Sequence, residues 1–175
     1  MNTKIAVLLI AVIGVSSVAG TAAFTTGQVD RTATVQVAGD DAALTGLAPG
    51  ASDLVYYDGN NELQIDFSQV TADGVNANST YTVGDTGAAN ETYAFNVTNN
   101  HNTQYQYTFD YVFDNTNNAG NVSFLLYDNT GTQVDTASPG STGSISLAAG
   151  EVGYVVIELD AASTDLSGTL SVSIS

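Results

Sequence analysis

Residues 104–113 alternate without a fault: Tyr105, Tyr107, Phe109, Tyr111 and Phe113 occupy one phase, and Gln104, Gln106, Thr108, Asp110 and Val112 the other. A period of two is that of a β-strand, and five aromatic rings on one side are too much apolar surface to leave in water. The strand therefore demands an apolar layer facing it. Other segments have the pattern to supply that layer. Residues 53–57 and 62–67 read as strands joined by Asp58-Gly59-Asn60-Asn61, with Leu63, Ile65 and Phe67 on the core phase. Residues 79–83 and 92–98 follow, the second with Tyr93, Phe95 and Val97 inward. Residues 121–127 and 132–136 form a hairpin across Asp128-Asn129-Thr130-Gly131, and 144–147, 152–159 and 169–174 complete the set. Residues 39–47 read as one helical turn, ended by Ala48-Pro49-Gly50.

About ten short strands with no amphipathic helix predict an all-β fold, a two-sheet, jelly-roll-like β-sandwich. Its expected core contains Val35, Val37, Leu63, Ile65, Phe67, Tyr93, Phe95, Val97, Phe109, Phe124, Val156, Leu170 and Val172. With no Cys in the chain, packing has to hold this fold without disulfides.

The start of the chain reads differently. In residues 1–22 Lys4 is the only charge, an apolar run follows it, and small residues lead to Gly20-Thr21-Ala22, the three-part pattern of a cleaved export leader. The run is short for a permanent anchor, which needs roughly 20 apolar residues. Residues 23–38 then form the mature N-terminal segment, in which Ala33, Val35 and Val37 alternate with Thr32, Thr34 and Gln36. That is a half-buried strand, tethered at one end through a loose linker and able to pair with its own domain or a neighbour's. Residues 39–175 make the sandwich, and the expected location is secreted, extracellular or at the cell surface.

Charge excludes whole classes of partner. The chain holds 18 acids against Lys4 and Arg31, a formal net charge of −16, and without the leader Arg31 is the sole base. One cation cannot neutralise phosphates, so neither nucleic acid nor an anionic lipid surface is an expected partner. Loss of Lys with a surplus of Asp suits a high-salt habitat, where screening relieves self-repulsion. The unfolding midpoint is therefore expected to rise between dilute buffer and several-molar salt. A gain of ~2 kcal/mol corresponds to roughly 4–8 °C for a domain of this size. An unchanged midpoint in thermal scans would rule out the halophilic reading.

Catalytic chemistry finds no footing. His101 is the only histidine, there is no Cys and no Gly-x-Ser-x-Gly elbow, and the acids recur along the chain without a paired pattern. No cofactor fingerprint appears, so the expectation is a non-enzyme without cofactors. Oxygen-rich turns supply calcium candidates, Asp58, Asn60 and Glu62, and a further run at 114–118, although turn chemistry explains the same residues. Four Asn-x-Ser/Thr sequons, at Asn78, Asn90, Asn96 and Asn121, make a glycoprotein an expectation.

A leader ending Gly20-Thr21-Ala22, a mature start at Ala23-Phe24-Thr25, an Asp30-Arg31-Thr32 entry to a Thr/Val strand, a Leu47-Ala48-Pro49-Gly50 break and a closing strand at 152–159 together resemble secreted haloarchaeal proteins of the TasA/camelysin type. The resemblance implies a jelly-roll subunit of extracellular, biofilm-matrix fibres, in which the N-terminal strand of one subunit fills an open groove in the next. On this chain the donor interface would be Arg31, Ala33, Val35 and Val37, and the principal partner a second copy. Metallopeptidase activity described for camelysin-like members does not carry over, because the histidines of a zinc site are missing. The competing reading is a monomeric surface glycoprotein domain that binds a protein or sugar, with Tyr107 and Tyr111 stacking on the sugar if their face is exposed.

Overall fold

The structure, a computed structural model, describes residues 39–40, 42–67, 76, 78–114, 120–161 and 166–175. Residues 1–38, which include the expected leader and the expected core residues Val35 and Val37, lie outside that set. Among the described residues eleven strands run in order: β1 (Thr45–Pro49), β2 (Val55–Tyr57), β3 (Leu63–Ile65), β4 (Thr80–Val83), β5 (Phe95–Asn99), β6 (Tyr105–Phe113), β7 (Asn121–Tyr127), β8 (Gln133–Ala137), β9 (Gly143–Leu147), β10 (Val152–Asp160) and β11 (Gly168–Ile174). All pairings are antiparallel. A six-stranded sheet has the order β1-β5-β10-β7-β8 with β4 also on β10, a three-stranded sheet has the order β11-β6-β9, and β2-β3 is a separate hairpin. From β5 onward the chain crosses between the two larger sheets at every connection except the β7–β8 hairpin. This is the expected β-sandwich.

The aromatic row on β6 is the centre of its core. Tyr107 and Phe109 are fully buried, Tyr111 nearly so, and Tyr105 and Phe113 are half-buried at the strand's ends. They meet Phe95 and Val97 of β5, Val122, Phe124 and Leu126 of β7, Ile145 and Leu147 of β9 and Val155, Ile157 and Leu159 of β10. Tyr111 tilts onto Phe124 at 5.3 Å between ring centres. Each such ring contributes about 2–3 kcal/mol by leaving water. Burial also pushes the phenols of Tyr107, Tyr111 and Tyr127 up from the ordinary tyrosine range, so all three stay neutral.

Among the described residues one polar residue, Asn99, is fully buried. Asn99, fully buried at the end of β5, directs its Nδ2 at three carbonyls, those of Thr103 (2.8 Å), Leu147 (2.9 Å) and Ala148 (3.0 Å). Its Oδ1 accepts the His101 N–H at 3.0 Å. Its own backbone is used as well, with Asn99 N–H donating to Glu151 and Gly150 N–H donating to Asn99. A single amide thus ties the β5–β6 turn to the β9–β10 turn. Phe95 and Val97 set the inward phase of β5, and Asn99 is its next member.

Strands β4 and β5 lie along one side of β10, β4 on Ile157–Asp160 and β5 on Val152–Val155. Together they act as one long strand interrupted by an excursion over residues 84–94, pinched at its base by the Gly84–Tyr93 bridge. The excursion folds back over the outer face of the six-stranded sheet. Its Ala89, fully buried, packs with Leu125, Tyr127 and Val156 in a second, smaller core.

That excursion corrects the expectation for Tyr93. The residue is half-buried and stacks on Tyr154 at 4.9 Å, outside the main core, because the irregularity at Ala94 shifts the phase before β5 begins. Val156 likewise belongs to the second core. The helical turn expected over 39–47 is also replaced, since strand β1 begins at Thr45 and runs through Pro49. Asn100 N–H donates to Leu44 and Gly50 N–H to Ala94, so the even-numbered residues bond to β5. The missing N–H of Pro49 therefore faces away from the ladder and costs it nothing. Leu63, Ile65, Phe67, Leu170 and Val172 pack on the core while only half-buried, the first three on or beside the β2–β3 hairpin and the last two on the edge strand β11.

Candidate functional site

A sandwich has sheet edges, and an edge carries unpaired N–H and C=O groups that template another strand unless something blunts them. At β1 the outward groups of Leu47 are both taken, its N–H donating to Asp40 O at 2.8 Å and its carbonyl accepting from the Tyr57 hydroxyl at 2.7 Å. At the other end, β8 turns into β9 through the Ser138–Ser141 bridge, and the Asp135 carboxylate accepts the Ser144 N–H at 2.8 Å. The Asp135–Ser144 bond joins the two sheets at that corner.

Strand β11 has no such cover among the described residues. Ser175 and Gln106 exchange both backbone bonds, at 3.0 and 3.2 Å, and Asp114 N–H donates to Ser167 at 2.9 Å. Antiparallel pairs alternate, so the odd-numbered residues of β11 bond to β6, and Gly168, Leu170, Val172 and Ile174 direct their N–H and C=O groups to the open side. The side chains of Leu170 and Val172 meanwhile point to the core and stay half-buried, and Ile174 is 42 % exposed. Seven residues, Gly168 to Ile174, carry no charge, no Pro and no bulge in a chain of net charge −16. The usual devices that protect an edge are missing there. An extended segment laid along β11 would find main-chain partners at every second residue and apolar neighbours on the core side.

The donor residues of the sequence reading, Arg31, Ala33, Val35 and Val37, lie outside the described residues. The open edge is not visible in the sequence, because residues 169–174 alternate as any strand does. The missing signal was an absence of charge, which becomes informative only when the strand is known to be an edge.

Tyr107 and Tyr111 are enclosed between the sheets, 0 % and 8 % exposed, so neither ring can stack on a sugar. His101 lies over Tyr105 at 4.5 Å with its Nε2 buried and without a partner. Among the described residues no three His, Asp or Glu side chains converge to hold a metal.

Of the calcium candidates Asp58, Asn60 and Glu62, the first braces its own turn with its side chain. Asp58 Oδ1 accepts the N–H groups of Asn60 (2.8 Å) and Glu62 (2.9 Å), and Asn61 sits in the left-handed region at φ 61°. The β7–β8 turn repeats the design: Asp128 Oδ1 accepts the N–H groups of Thr130 and Thr132, both at 2.9 Å, and Gly131 takes φ 82°. Such a loop, a turn followed by a left-handed residue, suits Gly or Asn at its fourth position. The run at 114–118 lies outside the described residues except for Asp114, which accepts a hydrogen bond from the Ser167 hydroxyl.

No protein-family model matches the chain, and no curated protein matches it in sequence.

The Thr130 hydroxyl, with the backbone N–H groups of Thr132, Thr130 and Gly131, holds the Asp128 carboxyl below the usual aspartate range. A depressed folded-state pKa contributes stability that is present above the unfolded value and is lost as pH falls through the folded one. The stability difference between wild type and Asp128→Ala is therefore expected to be constant above roughly pH 5 and to shrink as the pH is lowered beneath about 4. Denaturant titrations across that window check it, and a difference that grows in acid would contradict the assignment.

Proposed function

We propose that this chain is a non-catalytic structural subunit of an extracellular or cell-surface fibre, polymerising by strand addition. The mature N-terminal strand of one copy, carrying Ala33, Val35 and Val37, lies along β11 of the next. The observation that carries this reading is the open edge of β11, where Leu170, Val172 and Ile174 turn their backbone groups outward while the side chains of Leu170 and Val172 border the core and that of Ile174 is exposed. Backbone hydrogen bonds would supply affinity and the alternate donor side chains specificity. Because donor and acceptor are different surfaces of the same chain, the contact is head-to-tail, and it yields an open filament when its rotation does not close into a ring. With 18 acids in the chain against Lys4 and Arg31, assembly is favoured in salt, where carboxylate repulsion between copies is screened.

The experiment is negative-stain electron microscopy with sedimentation of purified residues 23–175 in several-molar salt. Filaments of uniform width are expected. A population of monomers at all concentrations would replace this reading with a monomeric binding domain, one that uses a surface other than the enclosed Tyr107 and Tyr111.

A further inference from the structure

The four sequons are not equivalent once folded. Asn96 stands in the middle of β5 with β1 and β10 on either side, its Nδ2 at 3.4 Å from the Tyr93 hydroxyl and its Oδ1 buried. Asn121 is exposed at the start of β7, paired with Asp160 of β10, but the two residues after it run on in the ladder to β10, with Val122 buried in the core. Asn78 is exposed, but the Ser79 carbonyl accepts Ala161 N–H and Thr80 is already paired with Asp160. In these three the residue that follows, or the hydroxyl residue at the third position, is committed to the sheet.

Asn90-Glu91-Thr92 is different. All three residues are exposed, and they lie in the excursion between β4 and β5, outside any strand. The loop is nonetheless fixed from below. Ala89 is anchored in the second core, Glu91 N–H and Thr92 N–H both donate to Ala88 O at 2.9 Å, and Asp85 N–H donates to Thr92 O at 2.8 Å. The turn therefore leaves Asn90, Glu91 and Thr92 exposed together outside the strands, as a glycosyl acceptor in a surface loop requires, with the Asn90 side chain lying close to Gly131 of the β7–β8 turn.

We infer that Asn90 is the N-glycosylation site of the folded domain, taking an oligosaccharide from a polyprenyl-phosphate-linked donor. In the transfer the Asn90 Nδ2 forms a bond to the anomeric carbon of the sugar as that carbon's bond to the phosphate oxygen breaks. The amide proton passes to a base of the transferase, and the phosphate leaves with the bonding pair. The inference is independent of the fibre reading. It is also compatible with it, since the loop belongs to the six-stranded sheet and the open edge to the three-stranded one.

The test uses the full chain, folded and urea-denatured, with an N-oligosaccharyltransferase and a synthetic polyprenyl-linked oligosaccharide, under conditions in which the denatured chain is modified. Glycopeptide mass spectrometry is expected to find the folded chain modified at Asn90 and the denatured chain at several sequons. Asn90→Gln and Thr92→Ala should each abolish the glycan on the folded chain, and Thr92→Ser should restore it. Both positions are exposed, and a circular-dichroism spectrum like that of wild type confirms that the variants fold. A folded chain left bare at Asn90, or modified to the same extent at Asn96, overturns the assignment.

Discussion

Replacing Asn99 with Asp is expected to cost about 3–5 kcal/mol, enough to remove most of a stability that for a domain of this kind is only about 5–15 kcal/mol. The substitution changes one nitrogen to oxygen and no volume. Its effect is electrostatic, because the Nδ2 that faces the carbonyls of Thr103, Leu147 and Ala148 becomes a carboxylate oxygen facing three acceptors in a buried site. Asn99→Leu removes the charge but leaves those carbonyls and the His101 N–H without their partner, and each buried orphan costs about 1–3 kcal/mol. Both variants should unfold early in urea, measured in high salt. They differ in acid. A buried carboxyl has its pKa raised in the folded state, so protonation favours folding and Asn99→Asp should recover stability as pH falls, whereas Asn99→Leu should show no such recovery. Asn100→Ala is the control: its exposed amide donates to Ala43 O at 2.8 Å, and its loss should cost about 1 kcal/mol. If Asn99→Asp unfolds no earlier than Asn100→Ala, the amide does not pin the two turns.

What the chain discloses before folding, and what it conceals, follows from the range of each interaction. The alternation at 104–113 is local and dictates both the strand and its buried side, and the hairpin at 121–136 is announced by Asp128 and Gly131 within four residues. Tyr93 falls outside the main core because its face depends on the excursion at 84–94, whose packing is set by Leu125 and Val156 far along the chain. Pro49 reads as a breaker until the pairing with β5 shows that its nitrogen faces away from the ladder. Asn96 is on the outward phase as its alternation says, yet that face is covered by Tyr93 and the same excursion. The open edge is the least local of all. Whether 168–174 is a central strand or a border depends on how many other strands join its sheet.

Blocking that border is expected to abolish assembly with little loss of folding, and the two sides of β11 allow the effects to be separated. The N–H of Val172 points to the open side, so Val172→Pro removes an outward donor and leaves the ladder to β6 intact. The N–H of Ser171 points to β6, so Ser171→Pro breaks a native bond and should destabilise the domain by about 3 kcal/mol. On the donor side, deleting the chain through Ala38 should leave a folded domain unable to polymerise. A peptide spanning residues 29–38 should then raise its stability by mass action, about 2.7 kcal/mol at a hundred times its dissociation constant. Val35→Asp in that peptide would bury an unpaired carboxylate at a cost of several kcal/mol and cancel the rescue, whereas Gln36→Asp, on the outward phase, should rescue as well as wild type. Filament yield by sedimentation and the urea midpoint are read for every variant. Val172→Pro should lose filaments and keep the fold, Ser171→Pro should lose stability first, and the truncated domain should bind the peptide in competition with filament growth. Filaments that survive Val172→Pro would move the contact away from β11. Filaments that survive the N-terminal deletion would remove the donor strand from the assembly altogether.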